Sequence, residues 1–191
     1  MRTTSLFAFA CVMLGYVATS RAAERLDTLY FESSPSSWIG QGQTVELSGP
    51  SGTMGYSRYF QQGAYTNSIH FSLGGWNLAL VGDNYTAPQV GFYDDATRWP
   101  FMDNGAGLAL TGHGRGNNRL SGFFEVFEAD YATDGTLISF AADFTQYDEQ
   151  NTSRWNIGSV RYNSSVPIPV PEPASLSALV FAVGAALARK R

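Results

Sequence analysis

Residues 122–147 fix the fold class more tightly than any other stretch of this chain. Phe123, Glu125, Phe127, Ala129 and Tyr131 alternate with Phe124, Val126, Glu128 and Asp130. A period of two is the signature of a strand with two unlike faces. Asp134-Gly135 then supplies a turn, because glycine readily takes positive φ. The chain returns over Thr136–Tyr147 with Ile138, Phe140, Ala142 and Phe144 on one face. The pair reads as a β-hairpin, and on strict alternation Glu125 and Glu128 fall on opposite faces.

The rest of the middle repeats this idiom in shorter pieces. Strands are expected at Thr28–Glu32, Gln43–Leu47, Tyr56–Phe60, Ser68–Leu73, Trp76–Val81, Gly91–Tyr93, Gly107–Thr111 and Asn156–Tyr162. Gly, Asn, Asp and Ser separate them, and no sustained 3.6-residue apolar period occurs. With the hairpin this makes about ten strands. The expectation is an all-β domain, a two-sheet jelly-roll-like β-sandwich.

The two ends of the 191-residue chain do not share this character. At the start, Arg2 precedes an apolar run from Leu6 to Ala18, and Ser20 and Ala22 are small residues spaced for cleavage after Ala22. Those are the three parts of a secretory signal peptide. At the other end, four prolines fall within Val166–Pro173, which favours an extended linker without ladder hydrogen bonds. An apolar stretch, Ala174–Ala188, and a basic end, Arg189-Lys190-Arg191, follow. As a helix that stretch would cover about 22 Å at 1.5 Å per residue, short of a hydrocarbon core of about 30 Å. The basic end would stay cytoplasmic by the positive-inside rule. The chain therefore divides into residues 1–22 (signal peptide), 23–165 (β-domain) and 166–191 (tail).

Pro171-Glu172-Pro173, a short apolar helix and a terminal basic cluster together resemble the PEP-CTERM sorting signal. The resemblance covers about the last 25 residues. It implies recognition by an exosortase, a membrane cysteine protease of transpeptidase type, with cutting near the Pro-Glu-Pro motif. It also implies a Gram-negative host that makes exopolysaccharide, biofilm or floc. A second resemblance, in Phe124–Tyr131, Ser139–Gln146 and Gly158–Ser164, is to uncharacterised bacterial secreted β-domains and carries no assigned activity.

Charge and side-chain chemistry narrow the function. The whole chain carries −4, but the middle holds only seven arginines against fifteen acids and lies near −8. That disfavours nucleic acid and anionic membrane surfaces as partners. The single cysteine, Cys11, lies in the signal peptide, so the domain has no disulfide, thiolate nucleophile or cysteine zinc site. His70 sits in an expected strand and His113 in a glycine-rich loop, Gly112–Gly116. No nucleophile elbow accompanies them, and the loop lacks the lysine of a phosphate-binding loop. Glu125, Glu128, Asp130 and Asp143 on the hairpin read as a solvated face rather than as a glycosidase pair. Asp83-Asn84, Asp94-Asp95 and Asp103-Asn104 are oxygen-rich pairs of the kind calcium uses, with Asp94 and Asp95 the candidate ligands. Trp38, Trp76, Trp99 and Trp155 are candidates for stacking on sugar rings, or for core mass.

The expected function is that of a non-enzymatic surface or extracellular-matrix protein. It would pass through the secretion machinery, stay in the inner membrane until its tail is processed, and then be sorted by an exosortase-type enzyme. No cofactor other than calcium is implied. A carbohydrate-binding module that takes extracellular polysaccharide is the alternative, and a secreted glycan-active enzyme a more distant one.

Overall fold

The computed structural model describes residues 24–58 and 67–169. They form one curled, mixed, ten-stranded sheet, a half-barrel: β1 (Leu26–Ser33), β2 (Thr44–Pro50), β3 (Gly55–Arg58), β4 (Ile69–Leu73), β5 (Trp76–Val81), β6 (Gly91–Arg98), β7 (Gly107–Gly112), β8 (Leu120–Tyr131), β9 (Leu137–Asp148) and β10 (Trp155–Ser164). Each expected strand has its counterpart, with Tyr59 and Phe60 of the expected Tyr56–Phe60 strand lying outside the described residues. β6 runs five residues further than alternation suggested, because a bulge at Asp94–Asp95 bends the strand without ending it. No α-helix occurs among the described residues, and no helix there is long and apolar enough to cross a membrane. The signal peptide, the Pro-Glu-Pro motif, the Ala174–Ala188 stretch and the basic end lie outside the described residues.

The strand order is β2-β1-β10-β9-β8-β6-β7-β5-β4-β3. All neighbours are antiparallel except β6 and β7, which meet in parallel over two residue pairs, Thr97↔Gly107 and Arg98↔Leu108. This short seam is where the structure departs from the two-sheet expectation. It joins a six-stranded half to a four-stranded half that would otherwise be separate layers. The halves still face each other through the core. Phe31 of β1 meets Trp76 of β5 edge-on at 4.8 Å, and Phe71 of β4 meets Phe140 of β9 at 5.4 Å.

The hairpin β8–β9 contains a second departure. The register shifts between Val126 and Glu128, so Phe127 is an extra residue on β8 and the parity of every later side chain flips. Phe124 and Val126 are buried before the bulge; Ala129 and Tyr131 pack on the core after it. Glu125 and Glu128 consequently share the outer face, where strict alternation put them on opposite faces. Ile138 is the matching irregularity on β9: it is 49% exposed while its neighbour Leu137 is buried.

Past Leu108, β7 has no β6 partner, and its edge would be left with unpaired backbone groups. Gln146 of β9 closes it. Its side-chain Oε1 accepts from Leu110 N (2.7 Å) and its Nε2 donates to Leu110 O (3.2 Å), an amide standing in for a missing strand.

Candidate functional site

A cleft of about 410 Å³ opens beside the β6–β7 seam. Its floor follows from strand register. Ser57, His70, Ala79 and Ala109 lie abreast across β3, β4, β5 and β7, and Ser72, Asn77 and Thr111 form the adjacent row. The two alanines supply the hollow, since any larger side chain in mid-row would fill it. Trp99 and Pro100, directly after β6, form one wall. Trp99 is set there by its N–H, which donates to Leu108 O (3.1 Å) and extends the parallel seam by one bond. Its ring stands edge-on to His70 at 4.3 Å.

Asn117 and Arg98 complete the polar lining. Asn117 is 6% exposed, and its Nδ2 donates to Asp148 Oδ1 at 2.8 Å. That bond fixes the amide's orientation and directs Oδ1 elsewhere, where it has no hydrogen-bond partner among the described residues. Arg98 donates to Asn118 O (3.0 Å) and lies over the Phe101 ring at 4.6 Å. Among the described residues it is the one formally charged residue in the lining, and no carboxylate lines the cleft there.

Burial pushes the His70 imidazole down from 6.5 to about 4, so it is neutral across the physiological range. Ser68 Oγ lies 3.0 Å from its Nε2, but Ser68 is fully buried and out of reach of a substrate. The unfolded chain takes up this proton near pH 6.5, the folded chain only near 4. The contribution is therefore fully present above pH 6.5 and is lost as the pH falls toward 4. After discounting for the partly exposed ring it is on the order of 1–2 kcal/mol. Urea unfolding at pH 7 and pH 4.5 is expected to show a larger acid loss in the parent chain than in His70→Gln. Equal losses would remove His70 from the account.

The outer face of the six-stranded half carries a second, apolar groove of about 260 Å³. Trp155, Phe92 and Ile157 border it, the last two 58% and 49% exposed. Glu125 and Asp143 also reach it, opposite each other across β8 and β9. Asp143 is paired with Arg161 at 2.9 Å. The same guanidinium donates to Val166 O (3.0 Å) and Pro167 O (2.8 Å), so the start of the proline-rich linker is held on this face. Pro169 reaches the groove itself.

The four tryptophans thus have four different settings. Trp38 is 54% exposed on the β1–β2 connection, Trp99 walls the cleft and Trp155 borders the outer groove. Trp76 is 4% exposed, a core residue against Phe31, and is corrected from candidate glycan contact to core mass. Asp94 and Asp95 are both exposed at the β6 bulge, where the Asp94 carboxylate accepts from Asp95 N (2.9 Å). They act there as bulge formers, and among the described residues no group of three or more His, Cys, Asp or Glu gathers that could hold a metal.

Comparison with protein-family models, with curated proteins and with solved structures returns no match.

Sequence reasoning missed Asn117, Arg98 and the acceptor Asp148 that orients Asn117. One signal was present. Phe140, Ala142, Phe144, Gln146 and Asp148 are spaced by two, so two polar residues continue an apolar face. A buried polar run of that kind marks a hydrogen-bonded network.

Proposed function

We propose that this chain is an exported, non-enzymatic protein of the bacterial cell surface or extracellular matrix, delivered to its destination through its tail. The observation that carries the reading is where the domain's two ends lie. Leu26 at the start of β1 pairs with Ser164 at the end of β10. Arg25 ties them further, donating to Asn163 O (2.7 Å) and to Glu128 Oε1 (3.1 Å). Burial raises the Glu128 carboxyl, but the Ser164 and Ser139 hydroxyls and Arg25 outweigh it and hold it below its usual value. An anionic clasp therefore joins both ends. From there Arg161 lays Val166–Pro169 along the outer face, and Pro171-Glu172-Pro173 begins two residues later. A sorting enzyme would act on the tail that follows Pro169.

The chemistry of the cleft supports a non-catalytic reading. Among the described residues its lining holds neither of the two carboxyls a glycosidase needs, and Ser68, whose hydroxyl lies 3.0 Å from His70, is buried. Fractionation of host cells with and without the exosortase-type enzyme tests the proposal. The enzyme-deficient cells are expected to retain a longer form in the inner-membrane fraction. The same size and the same location in both strains would overturn it.

A further inference from the structure

We propose that the cleft walled by Trp99 is a binding site for one neutral pyranose unit of a polysaccharide. The inference is independent of how the chain is sorted. It starts from the Asn117 Oδ1, a carbonyl oxygen in a nine-tenths buried side chain with no partner among the described residues. A buried acceptor left unmade costs about 1–3 kcal/mol, so such groups normally meet a ligand or water. An acceptor needs a donor, and a carboxylate or phosphate oxygen cannot donate. A hydroxyl can. Arg98, the one charge in the lining among the described residues, disfavours an ammonium donor. A neutral polyol satisfies both conditions.

The remaining surfaces fit a ring. Trp99 and Pro100 offer an apolar wall, and Ala79 and Ala109 a flat floor for C–H groups. Polar groups are ranged around that floor: Asn77 and Thr111 on one row, and the neutral His70 on the next. Arg98 has used one N–H on Asn118 and has others to give. The volume of about 410 Å³ lies near the lower end of small-molecule sites, about 300–1,000 Å³, and suits one ring rather than an extended chain.

The full chain in detergent is titrated calorimetrically with glucose, galactose, mannose, N-acetylglucosamine and glucuronate. At least one neutral sugar is expected to bind one-to-one with a Kd of about 1 mM or tighter. Asn117→Leu is expected to weaken it at least tenfold. Because Asn117 also bonds Asp148, that variant could lose its fold; Ser72→Trp then decides. Ser72 is exposed on the cleft's outer row, so a tryptophan there closes the mouth without entering the core. Loss of binding in folded Ser72→Trp supports the site. No saturation by any neutral sugar at about 10 mM overturns the proposal. So does binding unaffected by Ser72→Trp, and heat from water release alone counts as no saturation.

Discussion

Replacing Asp148 by alanine is expected to destabilise the domain by about 4 kcal/mol, a large part of the roughly 5–15 kcal/mol that holds a domain of this size folded. Asp148 is fully buried at the end of β9 and accepts six hydrogen bonds. Ser37 Oγ (2.7 Å), Trp38 N (2.8 Å) and Ile39 N (3.2 Å) converge on Oδ2. Asn117 Nδ2 (2.8 Å), Asn156 Nδ2 (2.8 Å) and Gln146 Nε2 (3.3 Å) converge on Oδ1. None of these donors is a charged side chain, so the carboxylate is stabilised by dipoles alone. Alanine leaves two backbone and several side-chain donors facing a void, and each unmet donor costs on the order of 1–3 kcal/mol before water enters. Asp148→Asn is expected to fall between, because the amide keeps one acceptor and Asn117 can flip to present its spare oxygen. Urea midpoints at pH 7 measure the order. Faster amide exchange at Trp38 and Ile39 is the local signature, since the β1–β2 connection is fastened to the sheet through those two N–H groups. A loss below about 1 kcal/mol would mean that water replaces the carboxylate at little cost.

That network also shows how far the sequence could be read. The strands were legible because period-two alternation and Gly/Asn punctuation are local properties. The hairpin was found with its turn, and even the weak early strands were placed within a few residues. Three features were not legible, and all three are non-local. The bulge at Phe127 reverses the faces of Glu128 and Asp130, yet an inserted residue leaves no mark when both faces carry Phe and Glu. The parallel β6–β7 seam rests on two residue pairs, so it decides between one sheet and two without any composition signal. The cleft is assembled from β3, β4, β5, β7 and the segments after β6 and β7, and its key residue, Asn117, sits in a stretch that reads as an ordinary loop. What makes Asn117 special is its partner Asp148, 31 positions away. The reading of the tail rests on a wholly linear pattern of Pro-Glu-Pro, apolar run and basic end, and those residues lie outside the described ones.

The second large effect is expected at Gly158, in the middle of β10. It faces inward between Phe31 of β1 and Phe144 of β9, its ladder partners on either side. A Cβ placed there would lie 2.3 Å from Tyr30 O, 2.5 Å from Phe31 Cβ and 2.8 Å from Phe144 Cζ. The first of these is backbone of a neighbouring strand, so no rotamer change relieves it, and β1 would have to move away from β10. Gly158→Ala is therefore expected to cost about 3 kcal/mol or more and to lower the melting temperature by about 10 °C. The reason for the glycine lies across the core. Phe31, seated over it, reaches Trp76 of the opposite half at 4.8 Å. Trp76 in turn rests on Gly112, where an added Cβ would meet its Cε3 at 2.3 Å. Two glycines, one in each half, thus bracket the aromatic pair that couples the halves where the β6–β7 seam is too short to do so. Gly112→Ala meets side-chain rather than backbone atoms and should cost less than Gly158→Ala, since the indole can tilt. Gly105→Ala, with nothing within 4 Å, should stay within about 0.5 kcal/mol of the parent. Thermal unfolding of the three variants tests that ranking. If Gly158→Ala melted with Gly105→Ala, the close approach of β1 to β10 would not be what holds Phe31 against Trp76.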